Sequence, residues 1–393
     1  MQRHRRFILL TLVLGVVFSS GSCKWFKGNS NKNTGPTAKL GRCVMQYRSP
    51  LSQGLTGSDL SENFYYSTIA VLSPSLVYVG GDMRNPKNRE DRVGVIVKTT
   101  DGGQSWNETV LEQAGIADIR INSMAFADAD NGYAVGRAQG NIALMFKTND
   151  GGKSWAFTRF GDMKQTPTCI YMADAMTGWM GGTTSLDEED EEGEPGGPSD
   201  LLMTTDGGKT WLSQVRLPVS IYDIQFLDKT TGWASGSKGA IYHTTNGGVT
   251  WDKQRTELET GDTFTLPGSE GAKLFDVGGI CFVDAEHGYA AARARSEEET
   301  GRIIGTSNGG TVWNKQRIVA DSGARDLFFI NANEGWILTD RGSYIYHTTD
   351  GNKTWLSEKK DLEYDPPVSR IAAADAQHVW AVGGGMIIVR QSD

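Results

Sequence analysis

Splitting a glycosidic bond takes two carboxylates at a defined separation, one acting as acid and the other as base or nucleophile. Asp223 and Asp326 can form such a pair, because they hold equivalent places in two copies of one strand, IYDIQF and ARDLFF. Aligning the copies on Phe126, Met172, Phe226, Phe282, Phe329 and Ala373 puts Ser123, Cys169, Asp223, Gly279, Asp326 and Arg370 three residues earlier. One step further back stand Asn122, Thr168, Tyr222, Gly278, Arg325 and Ser369. If the copies surround an axis, these positions ring the mouth of a central channel. The group to test first is Asn122, Tyr222, Asp223, Arg325, Asp326 and Arg370, read as a binding face, with Asp223 and Asp326 as the alternative catalytic pair. The plain alternative is that these groups only bond one another and channel water, since charges near a core are usually paired.

Other chemistries find less support. A sialidase needs several arginines for the substrate carboxylate and a tyrosine with an acidic partner. Tyr222, Arg325 and Arg370 are an incomplete set, and Arg370-Ile371-Ala372 is only a fragment of the Arg-Ile-Pro signature. The five histidines are scattered, and no G-x-S-x-G or H-E-x-x-H pattern occurs, so serine- and zinc-hydrolase chemistry is unsupported. The four cysteines, Cys23, Cys43, Cys169 and Cys281, match neither a metal site nor a disulfide framework. Cys169 and Cys281 lie in apolar runs and read as buried thiols. No metal, cofactor or catalytic residue is expected. A formal net charge of −8 argues against a nucleic-acid partner.

The elements that must position these residues follow from the tryptophans. Six close one motif: Trp106, Trp155, Trp211, Trp251, Trp313 and Trp355 end TTDGGQSW, TNDGGKSW, TTDGGKTW, TTNGGVTW, TSNGGTVW and TTDGNKTW. Asp101, Asp150, Asp206, Asn246, Asn308 and Asp350 take the acidic place, spaced by 49, 56, 40, 62 and 42 residues. Trp179, Trp233, Trp336 and Trp380 fill a second recurring place, shared with Tyr78, Tyr133 and Tyr289. Each unit thus reads as four short strands with turn signals between them, and the variable spacing marks loop insertions in a repeat array. Asp-Gly and Asn-Gly suit positive-φ hairpin turns, and the Asp side chain can bond nearby backbone N–H groups. Asn at two of the six sites keeps that geometry, so the motif is read as structural.

The expected fold is all-β: a seven-bladed β-propeller of four antiparallel strands per blade. The seventh unit, ending at Asp393, lacks a fourth strand. Arg42–Arg48 (RCVMQYR) has no repeat of its own and is predicted to supply it, closing the ring and removing exposed edges. Such a domain would fill residues 41–393.

The unit G-W-A-x-G…T-T-D-G-G-K-T-W resembles the BNR or Asp-box repeat, and most of all the photosystem II stability and assembly factors of cyanobacteria and plastids. The resemblance covers about residues 40–393. It implies a non-enzymatic propeller that binds membrane-protein intermediates during assembly, and so a protein-binding role in photosynthesis. Asp boxes also occur in sialidases and other glycosidases, and a glycoside hydrolase or a cell-surface carbohydrate-binding propeller remains the alternative.

Residues 1–22 read as a signal peptide: Arg3, Arg5 and Arg6, then the apolar run Phe7 to Phe18, then small residues. Cys23 follows as in a bacterial lipoprotein, with Ser20 where such proteins usually carry an aliphatic residue. Residues 23–40 read as a lipid-anchored flexible tether. The expected place is the periplasmic or outer-surface face of a bacterial membrane. The expected partner is a membrane protein or protein complex, and the protein itself is expected to be a monomer. Loops between second and third strands should carry the variation: the basic 82–92, the acidic 187–200 with its charge block at 187–194, and the mixed RARSEEETGR. The inter-blade loop 252–273 is also long.

Overall fold

The structure, a computed structural model, describes residues 42–50, 58–161, 163–184, 197–256, 275–294, 301–316, 323–339, 344–361 and 367–391. The signal, Cys23 and the tether lie outside the described residues. So do the acidic block 187–194, most of the loop 252–273, and residues 295–300 of the fifth blade's loop.

Seven sheets follow one another along the chain. Their innermost strands are Phe64–Val71, Arg120–Phe126, Gln165–Met172, Ile221–Phe226, Phe275–Phe282, Ala324–Phe329 and Val368–Asp375. Each contacts the two flanking ones, and the first contacts the last, so the sheets form a closed ring. This is the predicted seven-bladed propeller.

Closure is made as predicted. Arg42–Arg48 lies antiparallel to Met386–Gln391 and completes the seventh blade. One feature exceeds the expectation. Lys359–Asp361 pairs in parallel with Arg42–Val44 on its far edge, making this blade five-stranded. The closing strand is therefore held along both edges.

The Asp-box turn is longer than a two-residue hairpin. In the first blade it runs between the third strand, Arg92–Thr99, and the fourth, Asn107–Leu111. Side chains close it: Thr99 Oγ1 accepts the Gly103 N–H (2.8 Å), and Asp101 Oδ1 accepts the Ser105 N–H (2.9 Å). Both glycines sit at positive φ, 72° and 88°, where a Cβ is unfavourable. Asn246 Oδ1 and Asn308 Oδ1 accept the equivalent N–H groups at 3.0 and 2.9 Å. The Asn replacements thus keep the bond, as their structural reading requires. Asn352, in place of a second glycine, adopts φ 72°.

Neighbouring blades lock through aromatic rings. The aromatic of one blade's second strand stacks on the Phe ending the next blade's innermost strand. Tyr78 on Phe126, Trp179 on Phe226, Trp233 on Phe282 and Tyr289 on Phe329 have centroids 4.0, 3.6, 3.6 and 3.7 Å apart. The edge of each Phe then meets the Trp closing its own blade's Asp box: Trp155, Trp251, Trp313 and Trp355, at 86–89°. Such pairs add about 0.5–1.5 kcal/mol each beyond burial. The polar tip of the second-strand aromatic reaches the next Asp box. Tyr78, Tyr133, Trp179 and Trp233 donate to the carbonyls of Gly151, Gly207, Gly247 and Gly309. Across the closure, Trp380 donates to Gln46 Oε1 (3.0 Å), and Gln46 Nε2 donates to the Gly102 carbonyl (3.0 Å).

Candidate functional site

The aligned positions of the innermost strands coincide with an irregularity of the backbone. In all seven blades the ladder between innermost and second strand slips by one residue there. The extra residues are Ser67, Asn122, Thr168, Tyr222, Gly278, Arg325 and Ser369. A bulge leaves backbone groups without ladder partners, and buried backbone groups must find others.

Side chains of the preceding blade supply them. Asn122 Nδ2 donates to the Pro167 carbonyl of the next blade (2.8 Å), and Ser67 and Thr168 hydroxyls donate likewise to Ile121 and Ile221 carbonyls. The residue after the bulge accepts. Thr68 Oγ1 takes the Met124 N–H (3.1 Å), Ser123 Oγ that of Ile170 (3.3 Å), Asp223 Oδ2 that of Ile280 (3.0 Å) and Asp326 Oδ2 that of Ile371 (2.9 Å). Asp223 Oδ1 also accepts its own blade's Ile224 N–H (2.9 Å). At the fifth blade the two positions are Gly278 and Gly279. A Cβ on Gly279 would lie 2.7 Å from Asp326 Oδ1, so the missing side chain makes room for that carboxyl.

The six candidates therefore divide. Asn122, Asp223 and Asp326 are engaged between blades. Asp223 and Asp326 are 4% and 0% exposed, and neither can turn to a substrate without breaking its bond to the next blade. Burial pushes the Asp223 carboxyl well above its ordinary range and raises Asp326 to about 6, with the Arg370 charge pulling the other way on both. Tyr222, Arg325 and Arg370 are only partly buried. Arg325 Nη2 donates to the Tyr65 hydroxyl of the first blade (3.2 Å), and Arg370 Nη1 to the Ser369 carbonyl (3.1 Å). Two guanidinium groups, Arg325 and Arg370, and two phenols, Tyr65 and Tyr222, are thus partly buried on the innermost strands that carry the buried Asp223 and Asp326. A guanidinium fork binds carboxylates in bidentate fashion.

Sequence reasoning missed Tyr65, Ser67 and Thr68. The first blade's innermost strand ends on Val71 rather than Phe, so the aromatic anchor of the alignment was absent. The pairing of Ala70 with Tyr78, equivalent to Ala125 with Tyr133, restores the register.

The basic loop of the first blade is shorter than expected, spanning only residues 85–91. Its flanks are strand, and Arg92 pairs with the buried Asp82. Lys87 pairs with Glu112 at 2.9 Å on the surface, a contact of little energetic weight. Cys43 and Cys169 are buried and not disulfide-bonded, and burial pushes the Cys169 thiol up.

Comparison with known proteins bears out the resemblance drawn from the repeat. A family model described as photosynthesis system II assembly factor YCF48 matches residues 91–180. The photosystem II assembly lipoprotein Ycf48 of Synechococcus sp. (strain CC9902) is 25% identical over 212 residues, 52% of this chain and 57% of that protein. The chain thus matches little more than half the length of that relative. A solved structure of YCF48 bound to D1 peptide is similar at TM-score 0.56 and 16% identity, over 91% of this chain and 94% of that one. YCF48 from Cyanidioschyzon merolae is similar at TM-score 0.58 and 16% identity, over 84% of this chain and 96% of that one. At such identity the structural likeness concerns the fold.

Proposed function

We propose that this protein is a non-enzymatic, exported assembly factor that holds a segment of a membrane protein at the mouth of its propeller. Tyr222, Arg325 and Arg370 are the contact residues, with Asn122, Asp223 and Asp326 maintaining the mouth from behind. The observation that carries this reading is the division of the six candidates. The carboxylates that catalysis would need are bound into the ring, while the arginines and Tyr222 stay partly exposed. The match to a photosystem II assembly lipoprotein supports a protein partner from a photosynthetic complex. It also supports an N-terminal export signal over 1–22, lipidation at Cys23 and a tether over 23–40. A lipid on Cys23 would keep the propeller, a monomer, at the exported face of the membrane.

The test is fluorescence anisotropy with a labelled peptide from the D1 protein. Arg325→Ala with Arg370→Ala is expected to weaken binding about tenfold or more, as loss of central arginine contacts does. A surface control, Lys87→Ala, should leave it unchanged. Equal binding by the double variant and the wild type would remove the mouth from the interface. For the anchor, Cys23→Ser should move the protein from the membrane to the soluble fraction.

A further inference from the structure

Six blades own an Asp box, and the seventh does not. At the seam between the sixth and seventh blades the second-strand aromatic, Trp336, therefore has no box to reach, and its buried Nε1 has no hydrogen-bond partner among the described residues. A small cavity lies there, lined by Trp336, Cys43, Ile371, Val379 and Arg390. Charged groups take over the connection. His347 stacks on Trp336 with ring centroids 4.5 Å apart. Its Nε2 is 3.2 Å from Glu334 Oε1, and its Nδ1 is 3.4 Å from Glu358 Oε1. Glu358 accepts from Arg390 Nε of the seventh blade at 2.8 Å, and Arg390 Nη1 donates to the Ala376 carbonyl at 2.8 Å. His347 and Glu358 side chains are 5% and 0% exposed.

Position makes this cluster consequential. Glu358 directly precedes Lys359–Asp361, the strand that clamps the outer edge of the closing strand. Arg390 lies on the strand that holds its inner edge, paired with Cys43. A neutral imidazole has one N–H and one lone pair, so it can donate to only one of two flanking carboxylates. Protonated, it donates to both. We infer that the seam is a proton-operated clasp: protonated His347 ties Glu334 to Glu358, and loss of that proton loosens the hold on Arg42–Arg48.

The groups facing His347 are Glu334 from the turn after the sixth innermost strand, Glu358 from beyond the fourth strand, and Arg390 from the seventh blade. The Cys43 thiol borders the same cavity from the closing strand. Burial alone lowers the His347 pKa, and the Arg390 charge does so as well. The bonds to Glu334 and Glu358 outweigh both and raise it. A raised folded value means the stabilisation is complete below the unfolded value near 6.5 and fades as pH rises through the folded one. The molecule contains its own control. His243 stands in the same I-Y-H-T strand of the fourth blade and stacks on Trp233 at 4.6 Å. Chiefly through burial, its pKa is lowered.

The test is hydrogen–deuterium exchange of the full chain at pH 6 and pH 8.5, corrected for intrinsic rates, read at residues 42–48. The wild type should open several-fold more at the higher pH, the direction that a raised folded pKa dictates. His347→Gln should lose that difference, and His243→Gln should keep it. Glu334→Gln, which leaves the stacked imidazole in place, should move the midpoint to lower pH. Equal protection at both pH values, a pH difference that survives His347→Gln, or an unmoved midpoint in Glu334→Gln would each overturn the clasp.

Discussion

The Asp-box turns and the inner bulges are two repeated devices, and they differ in how the sequence fills them. Each Asp box closes on itself through the same Thr, Asp or Asn, and glycine, and its six copies are nearly interchangeable. Five of the seven bulges, those of the second to fifth and the seventh blades, hand unpaired backbone groups to the preceding blade, and the seven copies use Ser, Thr, Asn, Asp, Gly, Tyr, Arg and Cys. A turn satisfied locally has one good solution, and repetition preserves it. A turn satisfied by a neighbour accepts any side chain that reaches, so its sequence is open to other demands. The bulge ring is where binding residues could be introduced without losing the ring.

The largest effect expected from breaking this comparison lies in the aromatic lock that both devices share. Phe226→Ala removes a ring stacked on Trp179 and met edge-on by Trp251. It should cost about 3–5 kcal/mol, read from urea unfolding. Next comes the inner ring itself. Asp326→Ala strips the Ile371 N–H of its acceptor and should cost about 1–3 kcal/mol, whereas Tyr222→Ala, at a half-buried position, should cost less. Equal losses at the two sites would erase the division between ring-holding and exposed residues.

Acid separates the turns. Hydrogen bonds from Ser105, then Thr99, depress Asp101 to about 2, and those from Thr210 do the same for Asp206. A depressed folded pKa contributes stability above the unfolded value near 3.9 that is lost as pH falls toward the folded one. The melting temperature should therefore drop between about pH 4 and pH 2, and less steeply in Asp101→Asn or Asp206→Asn. The smallest effect belongs to Asn246→Asp. It should leave the melting temperature near neutrality almost unchanged and only add to the acid-induced drop. A large loss at neutral pH would show that the Asn boxes are not equivalent to the Asp boxes.

Much of this was legible in the residues. The six T-x-[DN]-G-[GN] turns, the aromatic second strands and the strand missing after Met386–Gln391 together gave seven blades and the closing role of Arg42–Arg48. Aligning Phe126 with its equivalents located the bulge ring, although nothing in the sequence reveals a bulge as such. The strand Lys359–Asp361 was not legible, because three residues of KKD carry no pattern and their pairing depends on where the closing strand arrives. Nor could the role of Asp223 be read, since its partner, the Ile280 N–H, lies 57 residues away.

Sequence by itself determined the repeat, because each Asp box is bonded within a handful of residues and each blade's register follows its own pattern. Tertiary structure decided what the polar residues of the inner strands do, because their partners belong to the neighbouring blade. His243 and His347 make the point most sharply. Their strands read alike, I-Y-H-T, and both rings stack on a tryptophan. Glu334 and Glu358 fold back onto His347 from its own blade, and Arg390 of the seventh blade holds Glu358, so the His347 pKa is raised while burial lowers that of His243.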